Sequence, residues 1–164
     1  MCIRDRLAAA VLGNLKIEMF NEIPIKEMRA DSLTVLDLKE KHFGVEGGMV
    51  VAGLIPVMGG LTKISLAWNN LEEEGTKAIC EALKQNKTIQ ELDLSGYDNI
   101  GRAAGAKHVA DMLGVNGALT SVELRGNTLG DKGWGAIFAA ICGNKDSKIM
   151  SLSLIHISEP TRPY

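Results

Sequence analysis

Few residues in this chain have the type and spacing that chemistry requires. His42 and His108 each stand alone, with no cysteine or carboxylate at metal-ligand spacing, so they read as surface or helix-boundary histidines. Cys80 and Cys142 sit in apolar stretches of helical period, where a small buried thiol is expected rather than a reactive one. The run Gly126-Asn-Thr-Leu-Gly130-Asp-Lys132-Gly133 contains glycines and a lysine, but not at the offsets of a phosphate-cradling loop. Glu72-Glu73-Glu74 opens a helical stretch, where carboxylates face the positive end of the helix dipole and remain solvated. Asn86-Lys87-Thr88 matches a glycosylation acceptor, which carries meaning only in a secreted chain. No nucleophile, base and orienting group come together by spacing. The expectation is a chain that is not an enzyme and holds neither cofactor nor metal.

Composition narrows the partners. The 164 residues are 46% apolar and 23% charged, as in an ordinary globular domain, and the 4% aromatic content requires an aliphatic core. A formal charge of −2 supplies no electrostatic reason to bind nucleic acid or an anionic membrane. No apolar run approaches the roughly 20 residues that span a bilayer. With only Cys80 and Cys142 away from the N-terminus there is no disulfide framework, and a reducing, cytoplasmic location is expected.

Both ends read as foreign to the rest. Met1-Cys2-Ile3-Arg4-Asp5-Arg6 is what ATG TGT ATA AGA GAC AG encodes, a sequence resembling a transposase adapter of sequencing libraries. Leu152 to Arg162 is what the reverse complement of that adapter encodes. Residues 1–6 and 152–164 are therefore expected to be artefact, and the native insert to run from Leu7 to Ser151 as part of a longer protein. On this reading Arg4 and Arg6 before Leu7–Leu12 only imitate a secretory signal.

The elements that position everything else come from a repeat. Leu33-Thr-Val-Leu36-Asp-Leu38 recurs as Leu61-Thr-Lys-Ile64-Ser-Leu66, Ile89-Gln-Glu-Leu92-Asp-Leu94 and Leu119-Thr-Ser-Val122-Glu-Leu124, at spacings of 28, 28 and 30 residues. A fifth start falls at Ile149. The units are 33–60, 61–88, 89–118 and 119–148, behind an irregular stretch at 7–32 that reads as a degenerate repeat. In each unit the first half alternates apolar and polar residues, which predicts strands near 33–38, 61–66, 89–94 and 119–124. Asparagine follows in the later units (Asn69, Asn99, Asn127), with Lys41 in its place in the first. Then comes a glycine leading apolar residues four apart (Ile79/Leu83, Val109/Leu113, Ile137/Ile141), which predicts helices near 46–55, 74–84, 103–113 and 132–142. In 7–32, a helix end at Leu7–Leu12 and a strand through Leu15, Ile17 and Met19 are expected, with Pro24 barring a further helix. Neither half of a unit can bury its apolar side alone. Stacking the units yields an α/β right-handed solenoid with a parallel concave sheet and convex helices.

The pattern L-x-x-L-x-L-x-x-N-x-L followed by a glycine-led helix resembles the ribonuclease-inhibitor class of leucine-rich repeats, over Leu33 to Ser151. The resemblance implies the solenoid and a role in binding a protein partner, alongside further repeats or domains of the same parent chain. Ran GTPase-activating proteins carry such repeats too, so regulation of a partner enzyme stands as the alternative. Binding residues must come from strand positions that the core does not use. Those are Asp37, Ser65, Asp93 and Glu123 in the centre row, Lys63 and Glu91 before them, Lys39 and Arg125 after, and Trp68 and Tyr97 near the rim. A solvated sheet face that touches nothing is the competing reading.

Overall fold

A computed structural model describes residues 3–153. Its elements, in chain order, are α1 (Ile3–Gly13), α2 (Ile25–Arg29), β1 (Val35–Asp37), α3 (Gly44–Leu54), a 3-10 turn (Ile55–Val57), β2 (Lys63–Ser65), α4 (Glu72–Lys84), β3 (Glu91–Asp93), α5 (Arg102–Leu113), β4 (Ser121–Glu123), α6 (Gly130–Gly143) and β5 (Ser151–Ser153). The five strands form one parallel sheet in sequence order. Leu36, Ile64, Leu92, Val122 and Leu152 pair in a single row, as the repeat spacing requires. The first four of these are buried. Leu38, Leu66, Leu94 and Leu124 form a second buried row beside them, and Ile79, Leu83, Val109, Leu113 and Ile137 meet both rows from the helices.

Neighbouring strands lie about 4.8 Å apart while packed helices need about 8–10 Å. The layer of helices α3 to α6 is therefore the longer arc, and the sheet lines the inside of the curve.

The helices start slightly before the glycines expected to lead them. The N–H groups of Gly47, Gly75 and Gly105 donate to the carbonyls of Phe43, Leu71 and Gly101, closing the first turn from inside the helix. A side chain on Gly105 would collide with the Ile100 carbonyl, which explains a glycine there in place of a better helix former. The chain enters these helices through residues with positive φ: Gly44 (66°), Glu72 (53°), Arg102 (59°) and Gly130 (64°).

Two ladders of asparagine hold unit to unit. At the strand exits, Asn69 Nδ2 donates to Leu38 O (2.7 Å) and Ala67 O (3.1 Å), and Asn99 Nδ2 donates to Leu66 O and Leu94 O (3.1 Å each). Asn127 Nδ2 continues to Leu94 O (3.0 Å) and Leu124 O (3.1 Å). Each amide thus satisfies one carbonyl of its own unit and one of the unit before. Lys41, in the first unit, takes part only through its backbone N–H, which donates to Asn69 Oδ1 at 3.0 Å. Its ammonium instead pairs with Glu22 at 2.9 Å. A second ladder at the strand entries joins Asn86, Asn116 and Asn144, with Asn116 Nδ2 donating to Leu83 O (2.7 Å) and Asn144 Nδ2 to Leu113 O (2.8 Å).

The N-terminal stretch departs from expectation. Leu15 and Met19 are 83% and 64% exposed, so Leu15, Ile17 and Met19 share no buried face and form no strand; the backbone bridge there is an antiparallel Phe20↔Ile23 pair. Pro24 does not bar a helix. It caps α2, because a proline at a helix start loses no needed N–H. Arg29 at the end of α2 then donates to the carbonyls of Val11, Leu12, Asn14 and Ile17, closing the C-terminus of α1. Residues read as foreign also take part: Arg4, within the stretch 1–6, pairs with Glu46 (3.2 Å) and Glu74 (2.9 Å). Met1, Cys2 and the tail from Leu154 lie outside the described residues. Leu152 is half-buried against the core.

Candidate protein-binding face

The strand residues that alternate with the buried leucines make a shallow depression of about 250 Å³, walled by Lys63, Glu91, Ser121, Glu123 and Arg125. Its order comes from short bonds between and within units. Lys63 Nζ meets Glu91 Oε2 across β2 and β3 at 2.7 Å, with each side chain 51% exposed, and this bond holds the Lys63 ammonium above the usual lysine range. Arg125 Nε donates to Glu123 at 2.7 Å. Ser65 Oγ and Ser95 Oγ both donate to Asp93, at 3.0 and 2.7 Å.

The centre-row acids have a structural task as well. Asp37, Asp93 and Glu123 each accept the backbone N–H two residues on, from Lys39 (3.0 Å), Ser95 (3.0 Å) and Arg125 (3.2 Å). The carboxylate satisfies a donor released where each strand ends. An acid in this row is thus partly explained by the turn, and recognition rests on the surface that the row leaves open.

The structure brings nine of the ten expected residues to this face with exposed or half-exposed side chains. Ser65 differs: it is buried, at 9%, because its hydroxyl turns down onto Asp93. Trp68 and Tyr97 stand at the rim, 46% and 73% exposed. Trp68 has a φ of 59°, at the place in the repeat where later units carry Gly96 and Gly126.

The remaining candidates resolve simply. His108 lies 3.5 Å from Glu73, a contact between α4 and α5 that local spacing cannot reveal. Cys80 is buried, and desolvation pushes its thiol up in pKa, which makes it inert. Cys142 is exposed, a correction to the buried thiol expected there, since no described helix packs on the outer side of α6. Among the described residues no group of His, Cys, Asp and Glu could hold a metal ion, and no helix is long and apolar enough to cross a membrane.

The leucine rich repeat family model matches residues 61–80 and 118–138. Leucine-rich repeat-containing protein 45 of Gallus gallus is 31% identical over 107 residues, covering 65% of this chain and 15% of that protein. RAN GTPase-activating protein 2 of Arabidopsis thaliana is 33% identical over 132 residues, covering 80% of this chain and 22% of that protein. The chain thus spans less than a quarter of either relative. Among solved structures, Leiomodin-1 Actin-Binding Site 2 superposes with a TM-score of 0.71 over 87% of this chain and 82% of that one, at 18% identity. The stacked β–α units, the asparagine ladder and these matches define a leucine-rich-repeat solenoid. The chain is a leucine-rich-repeat protein, and its units fit the ribonuclease-inhibitor-like class.

Proposed function

We propose that this segment is a protein-interaction scaffold whose concave sheet is the contact surface. The observation that carries the reading is the set of charged side chains held in register on β1 to β4, with Trp68 and Tyr97 exposed just beyond β2 and β3, all surplus to the core. Rigid strands present them already ordered, so little conformational entropy is lost when a partner docks. The relatives are built from the same repeat, and the leiomodin match is named for an actin-binding site, which supports binding rather than catalysis. The parent chain is intracellular on this reading and supplies further repeats or domains. Residues 7–32 are a degenerate repeat ahead of the four regular units, and residues 1–6 and 152–164 add no function. Neither cofactor, nucleic acid nor membrane takes part.

The test is to isolate a partner with the parent protein, then titrate the purified partner against variants. Lys63→Ala and Arg125→Ala should each weaken binding about fivefold or more, whereas Lys77→Ala on the helix side should not. Loss with Lys77→Ala alone would move the contact to the convex side. A second reading, regulation of a GTPase, is favoured by the likeness to RAN GTPase-activating protein 2. Stimulated GTP hydrolysis by a bound partner would support it, and binding without stimulation would exclude it.

A further inference from the structure

We infer that the partner presents a basic segment, one lysine or arginine of which rests against Trp68 and Tyr97. The inference rests on the concave face being the contact surface and adds what that face selects.

Trp68 is held in the left-handed region, at φ 59°. An L side chain is disfavoured there, and a bulky one most of all. The equivalent positions of the third and fourth units are glycines, at φ 134° and 83°, while the first unit carries the polar Glu40 at φ 59°, so Trp68 is the bulky aromatic among the four. The backbone around Gly96 packs directly against Trp68, and Tyr97 follows it. Inside the molecule the indole gains only partial cover in return, since it is 46% exposed, and Tyr97 is 73% exposed. Two large aromatic side chains therefore share one rim of the groove without a core to fill. A protein interior does not require this arrangement, whereas a cation docking on aromatic faces does.

Charge identifies the occupant. Every cation on this face already has a carboxylate: Lys63 with Glu91, Arg125 with Glu123, Arg102 with Asp98 at 2.8 Å, and Lys39 with Glu40 at 3.6 Å. Among the described residues, Asp37, Asp93 and Glu72 have no ion-pair partner. Glu72 and Tyr97 line one depression beside the rim, of about 530 Å³. The uncompensated charge is negative, so the complementary surface is positive. An acidic partner would meet cations that are already paired and three carboxylates that form no ion pair.

The test uses two fluorescein-labelled twelve-residue peptides, identical except that lysine and arginine in one are glutamate in the other. Each is titrated against the full chain and against Trp68→Gly, Asp93→Asn and Lys77→Ala, with urea unfolding of every variant and of Leu66→Ala. The basic peptide should bind about tenfold or more tightly than the acidic one, and raised salt should weaken it. Trp68→Gly should weaken that binding about tenfold while its urea midpoint stays close to the parent, in contrast to the large fall for Leu66→Ala. Equal affinity for the two peptides overturns the inference, as does unchanged binding by Trp68→Gly. So does a midpoint for Trp68→Gly as low as that of Leu66→Ala, which would make the indole a structural residue. If Lys63→Ala and Arg125→Ala weaken a natural partner but the basic peptide neither binds nor competes, the concave contact stands and the basic occupant falls. If only Lys77→Ala matters, both fall.

Discussion

The two edges of the solenoid solve one problem in different ways. At the strand exits, Asn69, Asn99 and Asn127 are buried and tie each unit to the one before it, and the ladder ends at Lys41. At the strand entries, Asn86, Asn116 and Asn144 do similar work, but only Asn116 is buried. Backbone groups are freed at both bends, and a side-chain amide with two donors and an acceptor can satisfy several of them at once. The exit ladder is deep because the strands and the leucine rows close over it. The entry ladder lies where helices end at varied lengths, so water reaches its ends.

Substitutions sharpen the contrast, beginning with the deepest site. Asn99→Ala should cost about 2–3 kcal/mol in urea unfolding, since Asn99 is fully buried and also accepts Asn69 N–H at 2.9 Å. Asn116→Ala should cost about 1–3 kcal/mol, because its Oδ1 holds the N–H groups of Ala118 (2.8 Å) and Leu119 (2.9 Å). Asn86→Ala should cost about 1 kcal/mol, its Oδ1 accepting Thr88 and Ile89 N–H at a part-buried site. Lys41→Ala should change stability far less than any of these, as for an exposed ion pair. Equal losses for Asn99→Ala and Lys41→Ala would show that the exit ladder does not carry the stacking.

The difference also shows what a single sequence reveals. The exit asparagines are legible because they sit at a constant offset from the last strand leucine in two units, and two residues later in the third. The entry ladder carries a signal too, Leu83-x-x-Asn86-x-x-Ile89 and Leu113-x-x-Asn116-x-x-Leu119, but its flanking residues are those of ordinary loops. The sheet order and register follow from apolar periodicity alone, because one stripe of leucines can be buried in only one way. The N-terminal stretch is opaque for the converse reason. Its structure depends on Arg29 reaching carbonyls at the end of α1 and just beyond it, from 12 to 18 residues away, a pairing with no local trace. The same holds for the strain at Trp68, since φ is set by the turn and not by the residue that occupies it.

Two smaller effects test the helical side. Thr76 carries a buried hydroxyl with no hydrogen-bond partner among the described residues, so Thr76→Val should leave stability unchanged or raise it by up to about 1 kcal/mol. A clear loss in urea unfolding would mean that the hydroxyl has a partner in solution. Asp98 is held below the usual aspartate range, first by its bond from Arg102 and then by Thr128. A depressed carboxylate stabilises the fold at pH above its unfolded value, and that contribution disappears as pH falls through the folded one. The stability gap between the parent and Asp98→Asn should therefore be present at pH 7 and close in acid, as read by thermal unfolding across pH.

The central claim is that the concave sheet, and not the helices, meets the partner. A photo-crosslinking residue placed at Ser121 on β4, and separately at Lys77 on α4, tests it directly in the parent protein with its purified partner. Crosslinks from position 121 and none from position 77 are the expected result. Crosslinks from position 77 alone would contradict the account.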